Sequence, residues 1–488
     1  MKIALYAFAN TAYFFQALIR EAQQATEIEW QVILPRGHHR HLFKELLEDH
    51  NTFYLYQDFN REYAKTKPPF QFDFPDGADN VFLCLSKDKD GYQHLDKEEQ
   101  LRRGATIYSL YRDFLITSRP DYVIFPDLET VDGFILINLC YELGIEPIYY
   151  VGTRNLGRSF FTHSPYEELP PYFGQYSAEA LTAADEALAL FRKGQLSAAR
   201  FETPCNTSDA VKIEPPCLAM RAIDNVRVYR RYERLYKGED NLIQKVKTNL
   251  KPLLKWYRKI RFSILQYRYF DICSMNDPLP KNFVLFALQY TPESSINGLE
   301  PYFVDQTRAI DLIRQSLPSG YSLLVKEHPA IAGVRSDSFY KVLRRMPGVE
   351  LVHPDVPSQA LVDKSKLVAT ITGTIGLECF LAGRPCLLFG RTFFKHLCYS
   401  YESYHDFRQE LRKMLCDFQP PTVEEKRIAL AKLFSISNQC CLGDPLAQPI
   451  VMHRENVRNF LAAVMRHISR LSESKNPPVS CDRTLLCP

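Results

Sequence analysis

The sequence lacks the patterns that mark disulfide-rich, zinc-binding and membrane-spanning proteins. It has no Cys-x-x-Cys pair, and its 13 cysteines are an odd number, many of them inside apolar runs, so neither a disulfide framework nor a zinc site is predicted. No run approaches the roughly 18–20 apolar residues of a membrane span. The apolar N-terminal stretch is short and is interrupted by Asn10 and Thr11, which favours a strand and a helix over a signal peptide. We therefore expect a cytoplasmic protein.

Two common nucleotide-binding motifs are also missing. Neither the Walker pattern nor Gly-x-Gly-x-x-Gly occurs, which argues against a P-loop ATPase and a dinucleotide-dependent dehydrogenase. The composition that is present, 46% hydrophobic and 24% charged residues, is that of a globular protein. A net charge of +3 gives no general reason to expect a nucleic-acid partner. The length of 488 residues predicts two or three domains.

Buried-strand and helix patterns alternate in two separate parts of the chain. This alternation predicts an α/β fold with two Rossmann-like domains that face a cleft, at 1–175 and 281–395. Residues 176–280 are predicted to form a helical linker or insertion. Residues 396–488 are predicted to form C-terminal helices and a tail that pack back across both domains.

The segment 221–270 is basic and aromatic. It contains 14 Lys and Arg against four Asp and Glu, a local balance of +10, with Tyr, Trp and Phe interleaved. The pattern fits a helical linker with a solvated basic face, and it also fits docking on an anionic membrane surface. Nucleic-acid binding uses the same residue types but is the weakest of the three interpretations, so no nucleic acid is expected.

Polar side chains follow two of the predicted strands in the second domain, where ligands of open α/β sheets bind. The first group is Lys326, Glu327 and His328, followed by Pro329. Because the residue before a proline is held extended, His328 is expected to have a fixed direction and to donate to a phosphate oxygen or transfer a proton. A histidine that only caps a strand end is the alternative.

The second group is Thr372-Gly373-Thr374, which runs directly into a predicted helix. Free N–H groups and hydroxyls at the positive end of a helix predict an anion site suited to a phosphate. Thr374 is the predicted N-cap, Gly373 permits close approach, and Glu378 lies one turn into the helix, within reach of a ribose. A plain capped helix is the alternative. The residues expected to bind the nucleotide part of a ligand are Lys326, His328, Thr372, Gly373, Thr374 and Glu378.

The first domain carries an acidic loop after a predicted strand. Asp127, Glu129 and Asp132 lie in this loop, where a carboxylate can act as a general base or a nucleophile. A solvated helix N-terminus is the alternative for each of them. After the next strand, the loop from Gly152 to Arg158 is flexible and basic, and its residues Thr153, Arg154 and Arg158 are expected to bind an acidic sugar or a phosphate of an acceptor. No spacing indicates a metal site.

Three runs of sequence resemble capsule polysaccharide biosynthesis proteins, which are GT-B-type glycosyltransferases related to the bacterial Kdo transferases of capsule assembly. The runs are FALQYTPESSI (286–296), LVKEHP (324–329) and VATITGTIGLECFLAGRPCLLFG (368–390); the middle of the chain and its tail show no such motif. The resemblance implies that His328, Thr372 and Thr374 hold the donor's phosphate and that Glu378 contacts the nucleotide sugar. The more distant bacterial sialyltransferases often carry a Ser pair where this chain has Thr-Gly-Thr, so CMP is one candidate nucleotide among several.

The expected function is that of a metal-independent glycosyltransferase of the GT-B type. It would move a sugar, with Kdo or another acidic keto-sugar as a candidate, from a nucleotide donor to a surface-polysaccharide or glycolipid acceptor. His328 and one carboxylate among Asp127, Glu129 and Asp132 would be catalytic, the nucleotide sugar would be a substrate, and no cofactor is expected. A nucleotide-sugar epimerase and a non-catalytic glycan-binding scaffold are the alternatives. Peripheral contact with the inner face of the cell membrane is expected through 221–270.

Overall fold

The computed structural model describes residues 1–23, 28–35, 37–88, 95–194, 257, 260, 268–291, 293–331, 335–445 and 448–475. Within these ranges the chain forms two six-stranded sheets covered by helices, which confirms the predicted fold class. The predicted basic segment 221–270 lies almost entirely outside the described residues.

The first sheet has the strand order β3-β2-β1-β4-β5-β6 and is parallel except for β6, which runs antiparallel to β5. Its central strands are buried along nearly their whole length. Burial on both faces explains why the sequence shows continuous apolar runs there instead of alternation. The strands are β1 Lys2–Tyr6, β2 Glu29–Leu34, β3 Thr52–Tyr54, β4 Tyr122–Phe125, β5 Glu146–Gly152 and β6 Ser159–Thr162.

Local signals set the ends of the helices around this sheet. The Asp96 side chain accepts a hydrogen bond from the Glu99 N–H and so begins the longest of them. Gly144, with φ at 67°, ends another in the left-handed conformation that a C-terminal cap requires. The helices are α1 Thr11–Ala22, α2 Leu55–Lys65, α3 Val81–Ser86, α4 Lys97–Ser118, α5 Val131–Leu143 and α6 Ala178–Arg192.

The second sheet is entirely parallel and has the order β12-β11-β10-β7-β8-β9. When each sheet is counted from its own first strand, both have the 3-2-1-4-5-6 order of a Rossmann fold. Its strands are β7 Phe283–Ala287, β8 Ser322–Lys326, β9 Val349–Val352, β10 Leu367–Thr370, β11 Cys386–Leu388 and β12 Tyr399–Ser400.

The remaining helices cover the second sheet and then return to the first. They are α7 Ser294–Asn297, α8 Thr307–Ser316, α9 Asp337–Arg344, α10 Ser358–Lys364, α11 Ile375–Ala382, α12 Phe407–Cys416, α13 Val423–Ile436 and α14 Arg454–Lys475. A capping box between Thr422 and Glu425 begins α13. None of the described helices combines the length and the hydropathy that crossing a membrane requires.

The C-terminal helices pack against both sheets' domains. On α14, the Phe460 ring lies 5.0 Å from that of Phe14 and 5.4 Å from that of Phe161 in the first domain. Helix α13 packs against α6, and α12 packs against α8 in the second domain. The two domains also touch directly, with the rings of Phe160 and Phe393 5.6 Å apart. The chain therefore joins both domains into one packed unit.

The direction of winding reverses between β1 and β4 in the first sheet and between β7 and β10 in the second. Loops that leave adjacent strands in opposite directions open a crevice at their carboxyl ends, and ligands of this fold bind there. The loops after β1, β4, β7 and β10 are therefore the places where a functional site is expected.

Candidate functional site

A cavity opens at each of these two reversal points. The second-sheet cavity, of about 480 Å³, lies over the ends of β7, β8 and β10. The first-sheet cavity, of about 910 Å³, lies over the ends of β1, β4 and β5. Arg154 and Ser295 line both of them. The two cavities therefore adjoin across the boundary between the domains.

The second-sheet cavity contains all six residues that the sequence predicted for a nucleotide site. They follow the ends of two strands, β8 and β10. These strands lie on either side of β7 in the sheet, so the residues after them meet over the end of β7. The residues are Lys326, His328, Thr372, Gly373, Thr374 and Glu378.

His328 has a defined orientation in this cavity. Its Nδ1 accepts a hydrogen bond from the Ala330 N–H at 3.2 Å, so a neutral imidazole carries its proton on Nε2. Burial lowers the pKa of His328 below its ordinary 6.5, and the carboxylates of Glu293 and Glu327 only partly oppose this shift. The imidazole is therefore neutral at pH 7, and Nε2–H is its hydrogen-bond donor.

A buried carboxylate holds the loop that carries this histidine. Glu327 is 1% exposed, and its Oε1 accepts a hydrogen bond from the His328 N–H at 2.6 Å. Its Oε2 accepts from Arg335 Nε at 2.9 Å and from the Tyr340 hydroxyl at 2.8 Å. Arg335 also donates to Thr291 Oγ1 at 3.2 Å, so the network connects the loops after β8 and β7.

Lys326 lines the cavity, but protein groups hold its ammonium. The side chain is buried, and Nζ donates to the carbonyl of Pro354 at 2.9 Å and to that of Glu327 at 3.4 Å. Burial lowers the pKa of Lys326. The contacts are those of a residue that fixes the end of β8.

Gln289 determines the position of the turn after β10. Its Oε1 accepts from the Thr372 N–H at 2.7 Å, and its Nε2 donates to Thr372 Oγ1 at 3.1 Å. The Thr372 hydroxyl in turn donates to the carbonyl of Ser295 at 2.6 Å, and the residue is 1% exposed. Thr372 therefore shapes the turn, and its hydroxyl is engaged inside the protein instead of being presented to a phosphate.

The start of α11 retains the features of an anion site. Thr374 occupies the predicted N-cap position but makes no capping hydrogen bond with its side chain. The first N–H groups of a helix have no partner inside it, and Gly373, Thr374 and Ile375 line the cavity. A side chain at Gly373 would meet Thr370 Oγ1 at 2.7 Å, so only glycine allows the turn to close this tightly.

In the first-sheet cavity the structure places two of the three predicted carboxylates. Asp127 and Glu129 line it, and Asp127 Oδ1 accepts from the Leu128 N–H at 2.8 Å and from the Tyr149 hydroxyl at 3.1 Å. Residues 441–444 and 448–450, from the C-terminal part of the chain, also line it and bring Asp444, whose carboxylate accepts from the Asn10 amide at 3.0 Å.

Asp132, the third of the candidate carboxylates, does not line the cavity. It is 2% exposed in the first turn of α5. Its Oδ2 accepts from the Tyr6 hydroxyl at 2.7 Å and from the Tyr111 hydroxyl at 3.3 Å. The helix turns this side chain under the sheet, where it joins a buried hydrogen-bonded cluster.

Of the three predicted acceptor-binding residues, only Arg154 reaches the cavities. Thr153 is fully buried, and its hydroxyl donates to the Arg158 carbonyl at 2.7 Å, which closes the loop. The Arg158 guanidinium donates to Ser437 Oγ at 3.0 Å and lies over the Phe434 ring. Arg158 therefore anchors the end of α13, whereas Arg154 lines both cavities and pairs with Glu167 at 2.5 Å.

Several residues at the site were not identified from the sequence. Gln289 lies two residues after the end of β7, the strand at the reversal point, and that position was the available signal. Arg335 closely follows the LVKEHP run (324–329), but that run gives no signal for it. Glu167 and residues 441–444 and 448–450 lie far from the motifs along the chain, so no local pattern indicates them. Within the described ranges, no group of three or more His, Cys, Asp and Glu residues is placed to hold a metal ion.

Residues 220–415 match the sequence profile of a family described as capsule polysaccharide biosynthesis protein. The match includes the whole second Rossmann-like domain and confirms the resemblance found in the sequence. It begins at 220, so it also takes in the basic segment 221–270, where the motifs showed no resemblance. No curated protein matches the chain by sequence.

Solved structures match the chain over much of its length at low identity. The Thermosulfurimonas dismutans KpsC β-Kdo 2,4 transferase is 11% identical, with a TM-score of 0.33 over 63% of this chain and 78% of that one. The Methanocaldococcus jannaschii UDP-GlcNAc 2-epimerase, solved with UDP-GlcNAc and UDP, is 10% identical, with a TM-score of 0.27 over 89% and 99%. The Neisseria meningitidis UDP-GlcNAc 2-epimerase is 12% identical, with a TM-score of 0.25 over 97% and 100%. Values this low carry no argument about activity.

Proposed function

Because residues 220–415 match the capsule polysaccharide biosynthesis family, we propose that this protein is a GT-B-type glycosyltransferase. It moves a sugar, with an acidic keto-sugar such as Kdo as the leading candidate, from a nucleotide donor to a polysaccharide or glycolipid acceptor. The observation that carries the proposal is the pair of adjoining cavities at the reversal points of two Rossmann sheets. One cavity has the features of a phosphate site, and the other contains carboxylates.

The donor occupies the second-sheet cavity in this proposal. Its phosphate lies at the start of α11, where N–H groups and the Thr374 hydroxyl meet the positive end of the helix. The His328 Nε2–H donates to a phosphate oxygen, and Glu378, which also lines the cavity, contacts the nucleotide sugar. As the glycosidic bond breaks, negative charge grows on the leaving phosphate, and donors already in position stabilise it without a metal ion.

The acceptor occupies the first-sheet cavity. Asp127 and Glu129 are the two predicted carboxylates that line it, and one of them takes the proton of the attacking hydroxyl or acts directly at the reacting carbon. Asp127 is the better positioned of the two, because the Leu128 N–H and the Tyr149 hydroxyl hold the same carboxylate oxygen.

The size of the first-sheet cavity favours a transferase over an epimerase. An epimerase converts its nucleotide sugar without a second substrate, so it needs no space for an acceptor. Here the adjoining cavity of about 910 Å³ is the larger of the two, and it provides room for an acceptor.

Thermal-shift measurements with CMP, UDP and GDP test the proposal. We expect one of these nucleotides to raise the melting temperature of the full chain, because a ligand that binds only the folded state stabilises it. The sugar conjugate of that nucleotide is then incubated with the protein, with and without a glycan acceptor. Transfer that requires the acceptor supports the proposal.

Conversion of the nucleotide sugar without any acceptor would mean that the protein is an epimerase and not a transferase. If no nucleotide and no nucleotide sugar stabilises the protein, the proposal is wrong and a non-catalytic glycan-binding role takes its place.

A further inference from the structure

A buried carboxylate that lines the first-sheet cavity bridges the two domains. Glu167, between β6 and α6, is 6% exposed. Its Oε1 accepts from Arg154 Nη2 at 2.5 Å. Its Oε2 accepts from the Thr392 hydroxyl at 2.9 Å and from the Phe393 N–H at 3.4 Å. Thr392 and Phe393 lie between β11 and β12, so one side chain contacts the first domain through Arg154 and the second domain through two donors.

Arg154 is fixed by its ion pair with Glu167. A buried carboxylate is stable only when it is paired and hydrogen-bonded, and Arg154 supplies the charge that Glu167 requires. Arg154 and Glu167 both have left-handed backbones, with φ at 60° and 55°, which residues other than glycine seldom adopt. Because Arg154 lines both cavities and its guanidinium pairs with Glu167, Glu167 holds this group where the two cavities meet.

A close-packed path connects this pair to the turn at the donor cavity. Gly390, two residues before Thr392, lies so near Thr372 that a side chain at Gly390 would meet Thr372 Cγ2 at 2.6 Å. Thr392 in turn contacts Glu167. A shift of the donor turn relative to the first domain would therefore also change the surroundings of Glu167 and Arg154.

We propose that Glu167 is a positioning residue that holds Arg154 against the donor. The Arg154 guanidinium has more N–H donors than the one it gives to Glu167, and it presents them to an anionic oxygen of the nucleotide sugar next to the bond that breaks. That oxygen belongs either to the phosphate or to a carboxylate of the sugar. The inference rests on the proposed transferase function, and it moves Arg154 from the acceptor to the donor.

Three variants and a matched control test this role in the full chain: Glu167→Gln, Arg154→Ala, the double variant and Glu168→Gln. Glutamine keeps the shape of Glu167 but removes the charge that pairs with Arg154. Glu168 is the neighbouring carboxylate, is exposed, and pairs only loosely with His163 at 3.6 Å. The readouts are kcat, the KM for donor and for acceptor, and the thermal shifts given by CMP and by CMP-Kdo, or by another nucleotide and its sugar conjugate if wild type prefers them.

We expect Glu167→Gln to lower kcat on the order of 10–100-fold, as misplacement of a positioning group does, and to leave the acceptor KM unchanged. Arg154→Ala should cause a similar loss, and the double variant should be no worse than Arg154→Ala, because Glu167 acts through Arg154. Glu168→Gln should behave like wild type. A thermal shift reduced for CMP identifies phosphate as the contact, and one reduced only for CMP-Kdo identifies the sugar carboxylate.

Two results would overturn the inference. One is kcat for Glu167→Gln equal to that for Glu168→Gln. The other is a fold loss of kcat in the double variant equal to the product of the losses in the two single variants. If Glu167→Gln fails to fold, Thr392→Val removes the shorter of the two hydrogen bonds that Glu167 accepts from the second domain, and unchanged kcat in that folded variant also overturns it. Absence of any nucleotide binding by wild type would instead refute the proposed function itself, so the two failures are distinguishable.

Discussion

At the scale of single residues, the hydrogen bonds of each side chain decide which candidates can act. His328 and Thr372 were predicted from neighbouring strand ends as two groups of one phosphate site. The Ala330 N–H leaves His328 with its proton on Nε2, whereas Gln289 and Ser295 engage both polar groups of Thr372. The first side chain can donate to a ligand, and the second maintains the turn that the ligand meets.

Substitution of His328 tests the proposed donor site most directly. We expect His328→Ala to lower kcat about 10²–10³-fold, the effect of removing one prepositioned donor to developing charge. The melting temperature should change little, since the imidazole is only half-buried and accepts a single backbone hydrogen bond in the described structure. Steady-state kinetics with the nucleotide sugar that wild type binds, together with a thermal melt, provide the measurement.

His405→Ala is the matched control, because His405 is exposed and lines neither cavity. Turnover by His328→Ala close to that of the control would show that this histidine has no part in the reaction.

At the scale of elements, the rotation of a helix places residues that are close in sequence in different surroundings. Asp127 and Glu129 precede α5 and line a cavity, while Asp132, in the first turn of the same helix, lies buried under Tyr6 and Tyr111. The sequence shows that the loop is acidic and follows a strand. It does not show which carboxylates the helix rotates into the core.

Helix α14 brings a buried histidine to the first sheet, and this histidine makes stability depend on pH. Burial, with smaller contributions from His163 and Arg470, lowers the pKa of His467 from its ordinary 6.5 to about 3. Its Nδ1 lies 2.7 Å from the Tyr172 hydroxyl, and its Nε2 has no hydrogen-bond partner among the described residues. The folded chain therefore holds His467 neutral under conditions in which the unfolded chain protonates it.

Since the pKa of His467 is lower in the folded state, its contribution to stability is complete above pH 6.5 and is lost as the pH falls. At pH 5 the loss amounts to about 2 kcal/mol of the free energy of unfolding. His467→Gln retains an acceptor for Tyr172 but does not titrate. The difference in unfolding free energy between wild type and this variant should therefore shrink by about 2 kcal/mol from pH 7 to pH 5.

Urea unfolding at a series of pH values measures this difference. Between pH 7 and pH 8 the two proteins should differ by a constant amount, which serves as the internal control. A difference that stays constant down to pH 5 would mean that His467 titrates alike in the folded and unfolded chains.

At the scale of the whole molecule, the small net charge conceals an uneven distribution. The chain carries +3 in total, but 221–270 alone carries +10, and this segment falls inside the family match. Each Lys or Arg near an anionic membrane contributes about 1 kcal/mol to binding. We propose that the segment places the protein at the inner face of the cell membrane, next to a lipid-linked or membrane-bound glycan.

Vesicle co-sedimentation tests the membrane proposal. We expect the full chain to bind vesicles that contain anionic phosphatidylglycerol and to bind neutral phosphatidylcholine vesicles much less. Replacing half of the 14 Lys and Arg of 221–270 by Gln should reduce the first association, and raising the salt concentration should do the same. Association that is unaffected by the substitutions would assign the segment to the linker role instead.

The sequence by itself determined the architecture and which residues share the second-sheet cavity. Continuous apolar strands and amphipathic helices recur in order along the chain, and parallel sheets place successive strand ends at one edge. His328, Thr374 and Glu378 could therefore be assigned to one cavity from local patterns alone. The motifs that resemble the capsule family lie in the same stretch.

Only the tertiary structure decided how the rest of the site is assembled. Residues 441–444 and 448–450 return from the C-terminal part of the chain to line the first-sheet cavity. Glu167 meets Arg154 from one domain and Thr392 from the other. Such contacts depend on how loops and helices far apart in sequence pack together, and no periodicity or local spacing encodes that packing. Tertiary packing also explains why Asp132 is buried. A buried carboxylate depends on the hydroxyls that surround it, and these come from residues far from it along the chain.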